Sequence, residues 1–204
     1  MDPFYYYTIE QPSMAEFKDR GSKFLAFAYP AKDIETCKKL LAQLKKEHGK
    51  AVHHCLAYRL GVDGSTFRVS DDGEPAGSAG RPILGQIDSK ELTNVFVVVV
   101  RYFGGTLLGI PGLINAYKTA TALALQLSPI IKKPIEIPYE LNFDYHQMNE
   151  VMMLVKHYNC SVVEQTAQLF IQLHIGIPKN RLEEVLEKLG ALRDVTIKTT
   201  LKLD

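Results

Sequence analysis

Cysteine is scarce: Cys37, Cys55 and Cys160 are three in number, widely spaced and without a C-x-x-C pair. An odd, scattered set of this kind argues against a disulfide framework and a zinc knuckle, and for a reducing compartment. Net charge is nearly absent as well, with 24 Lys+Arg against 23 Asp+Glu leaving +1. No global field therefore draws the chain onto nucleic acid or an anionic membrane, and any nucleic-acid site has to be a local patch. The opening Met1-Asp2-Pro3-Phe4-Tyr5-Tyr6-Tyr7 lacks the basic region and apolar core of a signal peptide. The longest apolar run stops at Arg101, far short of a membrane span. By elimination the expectation is a soluble, cytoplasmic protein with no membrane partner and no DNA signal.

What is present in excess is glycine beside charge. The turn Ser70-Asp71-Asp72-Gly73-Glu74-Pro75-Ala76-Gly77-Ser78-Ala79-Gly80-Arg81-Pro82 and the turn Arg101-Tyr102-Phe103-Gly104-Gly105-Thr106 flank one run, Val95-Phe96-Val97-Val98-Val99-Val100. Continuous β-branched and aromatic residues read as a strand buried on both faces. Glycines permit positive φ or close backbone approach, and backbone N–H groups in such turns form anion-binding concavities. A helix predicted to begin near Leu113 would add its positive end. Phosphate or other anion recognition is the first expectation for this stretch.

The remaining pattern predicts an α+β protein of two domains, residues 1–132 and 133–204. Tyr5 to Ile9, a strand through Phe17 and the run from Phe24 to Tyr29 read as strands, with Lys18, Arg20 and Lys23 clustered at the turn Asp19-Arg20-Gly21-Ser22. Asp33 caps a helix whose apolar face is Ile34, Cys37, Leu40, Leu41 and Leu44, with Lys38, Lys39, Lys45 and Lys46 read as solubilising charge on other faces. Ala51 to Leu60 and Thr66 to Ser70 form a hairpin. On that strand His53 and Cys55 face one side and His54 the other, which argues against a metal and leaves His53 as an acid/base or anion partner. A short helix from Ser78 precedes the buried strand, and Pro129, Pro134 and Pro138 mark a linker or the entry to a new domain. From Ile135 onward the order βαββαβ, with Asp144 and Asn180 as helix caps and a last strand from Val195 to Leu203, is the ferredoxin-like split unit.

Val52-His53-His54-Cys55-Leu56-Ala57-Tyr58-Arg59, the acidic turn through Leu84, and Val99-Val100-Arg101-Tyr102-Phe103-Gly104-Gly105 occur here in order. Together they make the sequence resemble the YigZ/Impact family, most specifically over residues 15–125. The resemblance implies an N-terminal α/β sandwich like the second domain of a small-subunit ribosomal protein, and a ferredoxin-like C-terminal domain similar to the fifth domain of elongation factor G. Both analogies point toward RNA and ribosomes. Eukaryotic relatives carry a further N-terminal interaction domain, with no counterpart in these residues, and restrain an amino-acid-starvation kinase. A link to regulation of translation is what the resemblance implies. The chain departs from the family pattern Leu-Gly-x-Gly-Gly-Leu-x-Arg-Ala-Tyr, with Pro111 for a glycine and Asn115 for the arginine. The anion reading then rests more on Lys23, Arg81, Arg101 and Lys118.

For Asp71, Asp72 and Glu74 three roles stand open: capping turns and pairing with Arg68, Arg81 or Arg101; holding Mg²⁺ with a phosphate; or acting as a general base. Arg101 and Tyr102, with Gly104 and Gly105 beside them, either present a guanidinium and stacking faces to a base and phosphate or form a salt bridge within the core. The favoured function is a non-enzymatic binding protein, using the N-terminal turns for RNA, ribosome or phosphate and the C-terminal domain for a protein partner. The alternative is a small hydrolase or transferase acting on a phosphate ester or nucleotide at Asp71, Asp72, Glu74 and Arg101. No cofactor is expected beyond Mg²⁺ accompanying a phosphate ligand.

Overall fold

The computed structural model describes residues 2–167 and 169–200. The chain divides into two compact units, residues 6–133, and residues 134 onward together with Asp2–Tyr5. The first unit runs β1 (Tyr5–Ile9), β2 (Ser13–Asp19), β3 (Ser22–Pro30), α1 (Ile34–Glu47), β4 (His53–Leu60), β5 (Thr66–Ser70), α2 (Gly80–Asp88), β6 (Val95–Tyr102), α3 (Gly109–Leu127) and β7 (Ile130–Pro134). Five of the strands form an antiparallel sheet in the order β2-β3-β6-β4-β5.

The apolar run of β6 occupies the sheet centre, and Val95 to Val100 are all within 1% of complete burial. Helices on both sides of the sheet account for this. Val95, Val97 and Val99 join Phe24, Cys55, Ile83, Ile87, Ala116, Tyr117 and Ala120 in the core beneath α2 and α3. Phe96, Val98 and Val100 join Leu25, Leu56, Tyr58, Cys37 and Leu44 in a second core beneath α1. The strand period of two thus sends successive β6 side chains to opposite layers. The buried face of α3 is rich in alanine, which lets its backbone lie close to the sheet.

Helix ends follow local chemistry. Asp33, in extended conformation, accepts from the Thr36 backbone N–H at 2.7 Å and from Thr36 Oγ1 at 2.9 Å, which caps α1. Helix α3 begins at Gly109, earlier than the predicted Leu113, so Pro111 lies within its first turn. A proline there removes an N–H that has no partner inside the helix in any case. Of the prolines expected to mark a linker or the entry to a new domain, Pro129 and Pro134 border β7, which pairs with β1 in a two-stranded ladder, the two units part between Lys133 and Pro134, and Pro138 lies within β8. The Glu10 N–H donating to the Pro129 carbonyl at 2.9 Å extends that pairing.

The second unit contains β8 (Glu136–Phe143), a 3-10 turn at Tyr145–Gln147, α4 (Met148–His157), β9 (Ser161–Ala167), β10 (Ile171–Pro178), a 3-10 turn at Lys179–Arg181, α5 (Leu182–Gly190) and β11 (Thr196–Thr199). Its antiparallel sheet has the order β11-β8-β10-β9, the ferredoxin-like arrangement. Leu141, Phe143, Leu173 and Ile177 meet Val151, Val155, Val185 and Leu189 in a single core. Asp144 caps the 3-10 turn by accepting from the His146 N–H. Asn180 does not cap α5: it sits within a 3-10 turn and its amide donates to Tyr5 Oη at 3.2 Å. The last strand ends at Thr199, and positions 201–203 of the predicted strand lie outside the described residues.

Candidate functional site

The two glycine-rich turns meet at the α2/α3 side of the sheet. Residue alternation along β4 and β6 places His53, Cys55, Val99 and Arg101 on this side, and His53 stands opposite Arg101 in the ladder. Glu74 comes in from the acidic turn and is buried with Arg101, at 8% and 5% exposure. Arg101 Nη1 donates to Glu74 Oε1 at 2.6 Å, and Tyr117 Oη donates to the same oxygen at 2.7 Å. Cys55 Sγ in turn donates to Tyr117 Oη at 3.3 Å. Cys55, Tyr117, Glu74 and Arg101 therefore form one buried polar chain between strand, helix and loop.

Burial pushes the Cys55 thiol up to about 12 and drives the Tyr117 hydroxyl far above the ordinary phenol range. Both groups stay neutral donors, and Glu74 and Arg101 neutralise each other. His53 borders this chain. Its Nδ1 lies 2.7 Å from the Asp72 carbonyl, which can only accept, so that nitrogen carries the proton. Nε2 then faces Glu74 Oε1 at 3.9 Å.

The other two acids have separate partners. Asp71 accepts from the backbone N–H groups of Gly77, Ala79 and Gly80 at 2.8–3.0 Å. Burial works to raise its carboxyl, but these three donors outweigh it, with help from the Arg81 charge, and hold it below the usual range. Asp72, in the left-handed region at φ 44°, accepts from the His54 N–H at 2.7 Å and lies 3.6 Å from Lys45 Nζ. The acid that pairs with Arg101 is Glu74. Among the described residues, no group of three or more His, Cys, Asp or Glu side chains is placed to hold a metal ion.

The second turn is held against the first hairpin by missing side chains. A Cβ on Gly104 would lie 1.8 Å from the Gly21 carbonyl carbon, so the two backbones touch where glycine alone fits. Ser22 Oγ, buried beneath, accepts from the Gly104 N–H at 3.2 Å and from Arg101 Nη2 at 3.4 Å. Phe103, 48% exposed, lies with its ring 5.7 Å from the Arg101 guanidinium, while Phe24 sits at 5.4 Å from it.

Of the residues singled out in the sequence, the fold brings together His53, Asp71, Asp72, Glu74, Arg101 and Gly104, with Gly105 exposed alongside. Tyr102 leaves them: alternation turns it to the α1 side, where its hydroxyl is 2.9 Å from His48 Nδ1. Lys23 pairs with Glu16 at 2.8 Å, and Arg81 and Lys118 are exposed on α2 and α3. Sequence reasoning missed Tyr117 and Ser22. Tyr117 stood in the sequence only as the last residue of the family pattern on a helix apolar on nearly every face, and the crossing of α3 over Cys55 is what gives its hydroxyl a role.

An α/β sandwich whose central strand ends at a buried ion pair between two glycine turns, followed by a ferredoxin-like unit, defines a two-domain α+β class of protein. The family model for the Impact N-terminal domain matches residues 20–125. An IMPACT family member of Haemophilus influenzae is 36% identical over 166 residues, covering 80% of this chain and 81% of that protein. The IMPACT family member YigZ of Escherichia coli is 34% identical over 174 residues, covering 84% and 85%. A crystal structure of a hypothetical protein matches 98% of both chains with a TM-score of 0.76 at 28% identity. The chain belongs to the IMPACT family, as its three motifs suggested.

Proposed function

We propose that this protein is a non-enzymatic RNA-binding protein that regulates translation, and that it grips single-stranded or looped RNA, that of the ribosome included, at the corner where Gly21 meets Gly104. The supporting observation is the composition of that corner. The β2–β3 turn and its flanks carry Lys18, Arg20 and Lys23 against Glu16 and Asp19, and Lys18 and Lys23 share the Glu16 carboxylate, so one positive charge is left over. Phe103 offers an exposed ring backed by a cation, while Gly104 and Gly105 keep the backbone bare for close approach. Phosphate contacts beside an exposed aromatic ring are the ordinary means of holding unpaired bases. The prior commitment of Asp71, Asp72 and Glu74 to partners of their own supports binding over turnover at the same turns.

The test is fluorescence anisotropy with single-stranded ribosomal RNA fragments across a salt series. Phe103→Ala is expected to weaken binding by roughly 5- to 100-fold through lost stacking. Arg20→Ala with Lys23→Ala is expected to make the salt dependence shallower by roughly 1.4 in log-log slope. Absence of saturable binding by the intact protein at low salt refutes the proposal. Arg101→Ala is unsuited to this purpose because it leaves Glu74 buried without its partner.

A further inference from the structure

On the opposite face of the sheet, between α1 and the edge pair β4–β5, lies a pocket of about 210 Å³. Its floor is apolar and aromatic, with Leu41, Leu56, Tyr58 and Phe96, the last two rings meeting edge to face at 6.3 Å. Its lining also carries Lys38, Lys45 and Arg68 against one carboxylate, Asp72, which leaves two positive charges. His54 completes the lining. At 7% exposure its ring is a buried part of the wall.

These features do not follow from folding needs. The cations are placed more specifically than solubilising charge requires. Ile34, Lys38, Leu41 and Lys45 follow one another at spacings of four, three and four, so the two lysines lie on the same helix stripe as the apolar pocket residues. Strand alternation puts Arg68 and Ser70 on the α1 side of β5, beyond the cover of the helix.

We propose that this pocket is a binding site for a small phosphomonoester with a compact ring or apolar body. A phosphomonoester at neutral pH carries close to two negative charges and several strong acceptor oxygens, matching the excess charge and the donors of Lys38, Lys45 and Arg68. The volume equals that of about seven waters, which admits a phosphate on one ring and excludes a polymer chain. The proposal is independent of RNA binding at the Gly21–Gly104 corner, because none of Lys18, Arg20, Lys23 and Phe103 lines this pocket.

Phenyl phosphate, inorganic phosphate and benzoate serve as probes, read by calorimetry and by the NMR resonances of the His54 ring in the full chain. Phenyl phosphate is expected to bind saturably and shift the His54 ring, about tenfold or more tightly than inorganic phosphate, which lacks the body, or benzoate, which lacks the second charge. Arg68→Ala, an exposed change on an edge strand, should weaken phenyl phosphate about tenfold, and Leu41→Trp should abolish it by filling the floor. No saturable His54 shift overturns the proposal. Equal affinity for phenyl phosphate and inorganic phosphate, or indifference to Arg68→Ala, overturns it too. Because Arg68→Ala carries the argument alone if Leu41→Trp does not fold, the outcome is decided either way. RNA binding by Arg68→Ala, expected at the wild-type level, separates the two sites.

Discussion

Removing the Arg101 guanidinium would strand Glu74 in an interior where Tyr117 Oη is its remaining close donor. A buried pair broken from one side loses far more than it contributed as a pair. Arg101→Ala is expected to destabilise the first unit by about 3–5 kcal/mol, and Arg101→Met combined with Glu74→Gln to recover most of that, as measured by urea unfolding. Asp71 gives a pH signature. Its folded carboxyl titrates below its unfolded value, so the stabilisation is present above the unfolded value of about 3.9 and is lost as pH falls through the folded one. Asp71→Asn should therefore cost about 1–2 kcal/mol near neutrality and flatten the acid side of the stability profile. The thiols make a third case: burial raises Cys37 and Cys160 to about 11 and Cys55 to about 12. Iodoacetamide at about pH 8 should label all three far more slowly in the folded protein than in urea, since the thiolate is the reacting form.

At the scale of elements, α1 shows how a local cap reaches a distant surface. Asp33→Ala removes two hydrogen bonds to Thr36 and should cost about 1 kcal/mol, read by thermal unfolding. The same helix carries Lys38 and Lys45 to the pocket, so loosened helical ends should also broaden the His54 resonance. Much of this element structure was legible beforehand. The continuous apolar run of β6 announced burial on two faces, and the period-two reading already separated His54 from His53. What stayed hidden depended on crossings between segments far apart in sequence. Pro129 and Pro134 read as a break, and the two units do part between Lys133 and Pro134, but that these prolines border a strand whose partner is β1, at the other end of the first unit, did not show. Lys38 and Lys45 read as solvent charge because the edge strand beneath them does not show in the helix's own periodicity. The Glu74–Arg101 pair was legible as charge beside a buried strand, but which of the three acids would take the arginine was decided by the path of the turn, with Asp71 and Asp72 drawn off by backbone amides.

Among the described residues, the buried core of the second unit and the two buried cores of the first have no member in common. Leu173→Ala, at 0% exposure in β10, should therefore destabilise the second unit by about 2–5 kcal/mol while hydrogen exchange of the β6 amides in the first unit stays at its wild-type rate. Equal acceleration of exchange in both would show that the units unfold as one. A different kind of independence holds at the corner formed by Gly21 and Gly104. Any missense change at the Gly104 codon installs at least a Cβ, and there is no room for one, whereas Phe103 beside it faces open solvent and can be exchanged without disturbing the backbone. Mutation can thus reach the chemistry of this corner readily and its shape hardly at all, so a lineage of such proteins can change what it grips while inheriting the same hand.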